Sequence, residues 1–397
     1  MLRFLTAGES HGPELVVVVE GMPAGVTLDP QAIDRDLVRR QGGYGRGARM
    51  TKIERDHGQI VSGVAGGRTT GAPIAIRIVN ADFANQPASP PRLSAPRPGH
   101  ADLAGRLKYG LEDFRLVRER ASARETAART AAGTVARALL EAFGARVGSF
   151  VVGIGEVTAD LPPLETLDAG ALEDLARRAE DDPVRSPDTD ASGRMRAAID
   201  EAKSAGETLG GVFCVFAVGV PPGLGSYVHW DRKLDGRLAQ AVCSIHAVKG
   251  VEIGPAFEVA TRLGAGVQDP IRLTGDGVDR PTNHAGGLEG GVTTGQPLVL
   301  RAAMKPLSSV RAPLASVDFD TGEPADPPHV RSDIAAVPAA GVVGEAMVAW
   351  VLADALVERF GGDRLDAMQA ARDATRRDAM PGAIEAAPDT DAPGPRA

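Results

Sequence analysis

The sequence is poor in the residues from which several protein classes are built. It has two cysteines, Cys214 and Cys243, in separate apolar stretches and far from any CxxC or Cys/His spacing. That excludes a disulfide framework and a zinc site, and it suits a reducing cytoplasm. Aromatic residues make up only 4% of the chain, so a stacking platform of aromatic side chains is not encoded. Basic residues are outnumbered, with 44 Lys and Arg against 52 Asp and Glu and a net charge of −8, which excludes a general nucleic-acid binder. Any basic site must be local. The run Val16 to Val19 is too short to span a bilayer, and Met1-Leu-Arg-Phe-Leu lacks the charged head and apolar run of a signal peptide. A soluble protein of the cytoplasm, not bound to membrane, is expected. No G-x-G-x-x-G opens a helix after a strand, and the ~30-residue βαβ rhythm of a doubly wound sheet is missing.

What is present is glycine, 48 residues of it, and short runs rich in Val and Ile. Leu15 to Val19, Ile60 to Val64, Ile74 to Val79, Val147 to Ile154 and Val212 to Val220 read as strands. From Ser122 a helical face carries Ala128, Ala131, Val135, Leu139 and Phe143, and Ser122 with Glu125 has the spacing of a capping box. Further helices are predicted from about Asp231 and from about Val342 to Phe360, the latter ending at Gly361-Gly362. Weaker helical patterns lie near 30 to 40, 171 to 181 and 193 to 204. The expectation is an α+β fold in one catalytic domain over residues 1–379. Residues 380–397, rich in Ala, Pro, Asp and Gly, read as a disordered tail.

Several loops carry chemistry-bearing residues. Gly8-Glu9-Ser10-His11-Gly12 fits the G-x-S-x-G nucleophile elbow, which requires a helix directly after the serine. Here Pro13 and the run from Leu15 predict a strand instead, which leaves a glycine-flanked His11 beside Ser10. Such a histidine suits proton transfer near neutral pH, or simply structure. Residues 35–56 hold Arg35, Arg39, Arg40, Arg46, Arg49, Lys52 and Arg55 around glycines, an arrangement suited to phosphate or carboxylate. A solvated basic loop is the alternative, and an RNA-binding segment fits poorly with the overall charge. His100 sits in the turn Arg97-Pro98-Gly99-His100-Ala101-Asp102, with Asp102 as a candidate acceptor. Arg120 and Arg124 flank Ser122 at a helix start, a placement that favours a bound anion. Gly286-Gly287 to Gly290-Gly291, Lys305-Pro306-Leu307-Ser308-Ser309 and Arg331-Ser332-Asp333 complete the set.

Read in order, GESHG at 8–12, RRQGGYGRG at 39–47, RPGHAD at 97–102, RASARETAART at 120–130, VKGVEIG at 248–254, NHAGGLEGG at 283–291, KPLSS at 305–309 and RSDIAAVPAAGVV at 331–343 resemble the chorismate synthase family. The resemblance spans roughly residues 1–363. It implies a single α+β domain with helices packed between antiparallel sheets, assembled as a homotetramer. It implies a lyase that converts 5-enolpyruvylshikimate 3-phosphate to chorismate by 1,4-elimination of phosphate. The reaction involves no net redox change yet requires reduced FMN, with NADPH as a candidate reductant. By the same resemblance His11 donates a proton to the leaving phosphate, His100 protonates the reduced flavin, Asp333 takes the proton from its N5, and Ser10 and Ser122 relay. Arg40, Arg46, Arg49, Arg124 and Arg331 would bind substrate, and Arg40 and Arg46 could instead meet NADPH. Arg120, Ala121, Ser122, His246, Ala247, Gly290, Lys305, Pro306, Leu307, Ser308, Ser309 and Arg331 would contact the flavin. Two positions depart from the family pattern: His246, where Gln or Asn is usual, and Ser332, where His is common. His57, His229, His284 and His329 receive no role. The rivals are a binding protein that kept the pocket without its chemistry, against which His11, His100 and Asp333 argue, and a flavin reductase that uses NADPH, which the sequence leaves open.

Overall fold

The computed structural model describes residues 1–47, 49–87, 90–274, 277–311, 314–327 and 333–379. The proposed tail, Arg331 and Ser332 lie outside these. Period-two alternation builds the first sheet: in β1 (Arg3–Gly8) and β2 (Glu14–Glu20), Leu15, Val17 and Val19 point into the core. The elbow-like sequence at residues 8–12 is thus the turn of an antiparallel hairpin, with Gly8 opposite Leu15. β3 (Gln59–Ile60) and β4 (Ile74–Val79) complete the sheet in the order β1-β2-β4-β3. The strand predicted over residues 60–64 stops at Ile60. Gly63 there takes φ +81, and a side chain would lie 2.6 Å from the Pro73 carbonyl oxygen, so this position turns the chain.

The second sheet has β5 (Arg146–Ile154), β6 (Val157–Thr158), β7 (Gly211–Val218), β8 (Val248–Ile253) and β9 (Leu298–Met304), antiparallel in the order β8-β9-β7-β5-β6. The helices are α1 (Pro30–Gln41), α2 (Asp102–Tyr109), α3 (Phe114–Ala121), α4 (Thr126–Ala142), α5 (Ala169–Glu180), α6 (Thr189–Ala205), α7 (Leu234–Cys243), the single turn α8 (Ala256–Val259), α9 (Val337–Phe360) and α10 (Leu365–Ala379). α4 and α9 pack on each other between the sheets, α4 touching β2 and β4 and α9 touching β5 and β7. Their approach is close enough that a Cβ on Gly133 would collide with Ala346. α5 covers the outer face of the second sheet, where Leu172 and Leu175 meet Phe150, Phe216 and the buried Cys214. The layered α+β architecture is the one expected.

The helix predicted from about Asp231 starts at Leu234, after a 3₁₀ turn over Trp230–Arg232, and the starts of α9 and α4 also differ from expectation. α9 begins at Val337, because Pro338 falls in the first turn, where its missing N–H costs nothing. The capping box does not close. A 3₁₀ turn over Ala123–Glu125 precedes α4, so Ser122 Oγ accepts only from Arg124 N (3.2 Å), while the Glu125 carboxylate accepts from Thr6 Oγ1 (2.7 Å) and Arg129 Nε (2.8 Å). α9 is long and apolar enough to cross a bilayer, yet most of it lies inside the core. At its centre the fully buried Glu345 accepts from Arg39, Arg137, Arg185 and Ser149 Oγ.

Candidate active site

The turn at residues 9–12 is gripped from several sides. Ser10 N donates to the carbonyl of Glu119 at 3.0 Å, tying the turn to α3. The Glu119 carboxylate accepts the His11 amide at 2.7 Å and pairs with Nδ1 of the His11 ring at 2.9 Å. Burial works against charge on Glu119, yet the His11 ring and amide hold its carboxyl below the ordinary glutamate value. Asn80 donates through Nδ2 to the carbonyls of Glu9 (3.0 Å) and Gly12 (2.7 Å). Arg49, on a π-helical turn over Arg49–Ile53, donates from Nη1 to Ser10 Oγ (3.1 Å) and lies 3.3 Å from Nε2 of His11. Ser122 Oγ, at the junction of α3 and α4, donates to Ser10 Oγ at 3.1 Å. The two candidate relay hydroxyls therefore lie next to each other, and Arg49 links Ser10 to His11.

Behind them lies a buried layer of opposite charges. Arg124 donates to Asp56 Oδ2 (2.6 Å) and Asn80 Oδ1 (2.9 Å), and Arg40 to Thr126 Oγ1 (2.8 Å) and the Ala123 carbonyl (2.9 Å). The seven basic residues of the 35–56 segment thus divide. Arg40, Arg46 and Arg49 turn toward the site, whereas Arg39 joins Glu345 in the core and Arg35 pairs with Asp29 at the surface. Nor does an anion have to be invoked for the two arginines flanking Ser122. Arg124 is paired as described, and Arg120 donates to the Thr6 and Gly8 carbonyls at the end of β1. Spare donors remain all the same: Nη1 of Arg40, Nε of Arg46 and Nη2 of Arg124 are buried without a hydrogen-bond partner. Burial pushes the Arg40 guanidinium down to about 9 against the pull of Asp56, with Arg124 and Arg46 adding to the push. An anion would relieve that repulsion.

A second cluster gathers around His100. Its Nδ1 lies 2.5 Å from Asp102 Oδ1, and Asp102 also accepts from the Arg97 amide (3.0 Å) and from Arg118 Nε (2.9 Å). Burial opposes charge on Asp102, but His100 and Arg97 hold its carboxyl well below the usual range. The 305–309 loop lies against this turn, with Lys305 Nζ 3.4 Å from the Gly99 carbonyl and Arg97 donating to Ser309 Oγ at 3.3 Å. Lys305 N donates to the Ala247 carbonyl at 2.9 Å, and Ala247 has φ +66, rare for a residue with a Cβ. Leu307 is fixed through its carbonyl by Thr208 Oγ1 (2.7 Å), and the backbone of Pro306 passes close to Gly210. Next to Ala247, His246 buries Nδ1 without a partner. Burial pushes its imidazole down to about 4 against the pull of Glu125, with Arg129, His100 and Arg40 close enough to add to the effect. His246 therefore feels both clusters.

Asp333 and the glycine-rich loop meet as well. Arg46 Nη1 pairs with Asp333 Oδ2 at 2.8 Å, and Gly47 N donates to Asp333 Oδ1 at 2.7 Å. Gly290 lies in the turn between the short strands Leu288–Glu289 and Val292–Thr293, next to Tyr227. Ala121, the last residue of α3, brings Ser122 into place. Motif reading missed Glu119, Asn80 and Asp56, which no motif marks and whose partners at the site lie far away in the sequence, and also Glu54, which accepts from Arg49 Nη2 at 2.9 Å.

Two antiparallel sheets enclosing helices, with an arginine-lined site that pairs buried carboxylates with two oriented histidines, define an enzyme that handles anionic small molecules. The family model for Chorismate synthase matches residues 2–357. Among named relatives, the Chorismate synthase of Desulforudis audaxviator is 54% identical over 376 residues, covering 92% of this chain and 95% of the relative. That of Moorella thermoacetica is 54% identical over 379 residues, covering 93% and 97%. A crystal structure titled as chorismate synthase superposes with a TM-score of 0.79 at 43% identity, covering 95% of this chain and 98% of that one. This chain belongs to the chorismate synthase family, and it is a carbon–oxygen lyase.

Proposed function

We propose that the chain eliminates phosphate from 5-enolpyruvylshikimate 3-phosphate in a 1,4-elimination that yields chorismate, with reduced FMN as cofactor, in the shikimate pathway. The observation that carries this reading is the set of buried guanidinium nitrogens on Arg40, Arg46 and Arg124 that make no hydrogen bond, those of Arg40 and Arg124 reaching Asp56 and Glu54 only at 3.6 and 3.7 Å, in a chain of net charge −8. The substrate has two carboxylates and a phosphate, and FMN adds another phosphate, so the ligands supply the acceptors these donors lack. A flavin nucleotide suits the second cluster too. His246 Nδ1 has no partner, and Lys305 Nζ reaches two carbonyl oxygens only at 3.4 Å, long for an ammonium.

In this reading Arg40, Arg46, Arg49, Arg124 and Arg331 bind the substrate's anionic groups. His11 gives a proton to the leaving phosphate, with Ser10 and Ser122 as relay hydroxyls. His100, its Nδ1 held by Asp102, keeps a proton available to the flavin, and Asp333 takes one away. Arg120, Ala121, Ser122, His246, Ala247, Gly290 and the 305–309 loop hold the cofactor. When bound, reduced flavin supplies electron density to the substrate ring as phosphate leaves. Residues 1–379 form the catalytic domain, and a homotetramer in the cytoplasm is the expected assembly. Tyr227, Val228 and Trp230, 76%, 70% and 77% exposed, offer apolar surface for subunit contact.

Under anaerobic conditions chorismate should form with reduced FMN and not with oxidised FMN; turnover with oxidised flavin alone would sink the mechanism. Repeating the assay aerobically with NADPH, oxidised FMN and no added reductase decides whether the chain also reduces its own flavin. Separately, Arg46→Ala should weaken substrate binding by ~1.5–3 kcal/mol, as expected for a hydrogen bond to a charged group, and the loss should persist in moderate salt. Lysine at 46 should rescue in part, since it keeps charge and loses the fork. Unchanged affinity would mean that Arg46 serves only Asp333.

A further inference from the structure

Resting on the reading of His11 as a proton donor, we infer that Glu119 is a positioning residue that fixes the His11 ring in its Nδ1–H form, leaving Nε2 as the nitrogen that exchanges a proton with the ligand. An ionised carboxylate only accepts hydrogen bonds. One Glu119 oxygen takes the His11 amide at 2.7 Å, and the other lies 2.9 Å from Nδ1, so Nδ1 must carry a hydrogen whether the ring is neutral or charged. On the far side of the ring Nε2 lies 3.3 Å from Arg49 Nη1, a group that only donates, so in the neutral ring Nε2 presents its lone pair. The same Arg49 nitrogen donates to Ser10 Oγ, so Nε2 is the ring nitrogen that faces the anion-binding arginines. Glu119 also holds the turn through its own carbonyl, which accepts Ser10 N, so ring and backbone are set by one residue. Its side chain is 16% exposed against 41% for His11, as expected of a support behind a group that meets ligand.

Glu119→Gln separates this role from simple packing, because the amide has the shape of the carboxylate but one acceptor and one donor end. The His11 amide cannot accept, so the Gln oxygen must stay on it and the NH₂ must face Nδ1. Nδ1 then has to become the acceptor, and the hydrogen moves to Nε2, against the Arg49 donor. Solid-state ¹⁵N NMR of histidine-labelled full-length protein, with His11 assigned by loss of its signals in His11→Asn, reads the two forms directly. The wild type should show Nδ1–H, Glu119→Gln should show Nε2–H, and Glu119→Asp, with two acceptors, should keep Nδ1–H. Turnover in Glu119→Gln should fall by about 10²-fold with KM little changed, and the variant should add nothing in a His11→Asn background. A wild-type ring in the Nε2–H form, or a tautomer indifferent to Glu119→Gln, overturns the inference. An inverted tautomer with full turnover would uphold the positioning and overturn the proton-donor role of His11 instead.

Discussion

Alanine in place of His11 or of His100 should slow turnover by roughly 10²–10⁴, the range for loss of a positioned acid or base, and the two variants should fail differently. The histidines sit in separate settings: His11 between Glu119 and Arg49 beside Ser10, His100 on Asp102 against the 305–309 loop. If His11 serves the leaving phosphate, an analogue with a better leaving group should restore rate in His11→Ala and not in His100→Ala. If His100 serves the flavin, its loss should shift the protonation of bound reduced flavin, followed by absorbance against pH, more than loss of His11 does. Substrate and flavin should still bind to both. Identical behaviour in the two assays would refute the division of labour while leaving the family membership intact.

The largest effect on stability is expected at Glu345. It is fully buried at the middle of α9, and it is the shared acceptor of Arg39, Arg137 and Arg185. Removing one member of a buried charge network leaves the others uncompensated, so Glu345→Ala should cost about 3–5 kcal/mol. Denaturant unfolding monitored by circular dichroism checks this, and a loss below about 0.5 kcal/mol would mean that Asp36 and Glu180 suffice to hold the three arginines. Asp36 pairs with Arg39 and Arg137, and Glu180 with Arg39 and Arg185. The pH dependence has a definite sign. Burial opposes ionisation of Glu345, but Arg39 and Arg137 outweigh it and hold the folded-state carboxyl well below the ordinary value. Its contribution is therefore fully present above the unfolded glutamate value of about 4.3 and is lost as pH falls through and below it. Glu345→Gln should flatten the acid side of the stability curve.

Why Glu345 escaped sequence reading is instructive. A single carboxylate inside an apolar helix carries no periodic signal, and its three arginine partners come from three separate segments. Arg39 and Arg40 show the same limit. Neighbours on a helix project about 100° apart, so one enters the core network and the other the site, although the local sequence presents them as one basic run. A short run rich in Ile and Val made Ile74 to Val79 readable as a strand, and the apolar face from Ala128 to Phe143 made α4 readable. α2 and α3, eight residues each and rich in charge, gave no such pattern, yet α3 carries Glu119. Site loops were legible through residue type and glycine content, and so was Asp102, two residues from the His100 it holds. Glu119, Asp56 and Asn80 were not, because their contacts are set by the packing of distant segments on α3 and α4.

In the proposed reaction flavin acts without being consumed, and the direct measurement is the ratio of phosphate released to flavin oxidised under anaerobic conditions. With 5-enolpyruvylshikimate 3-phosphate in excess, many phosphates, and as many chorismates, should form for each flavin, with the flavin still reduced at the end. One phosphate per flavin oxidised, or phosphate release in the presence of oxidised flavin alone, would contradict the proposed reaction.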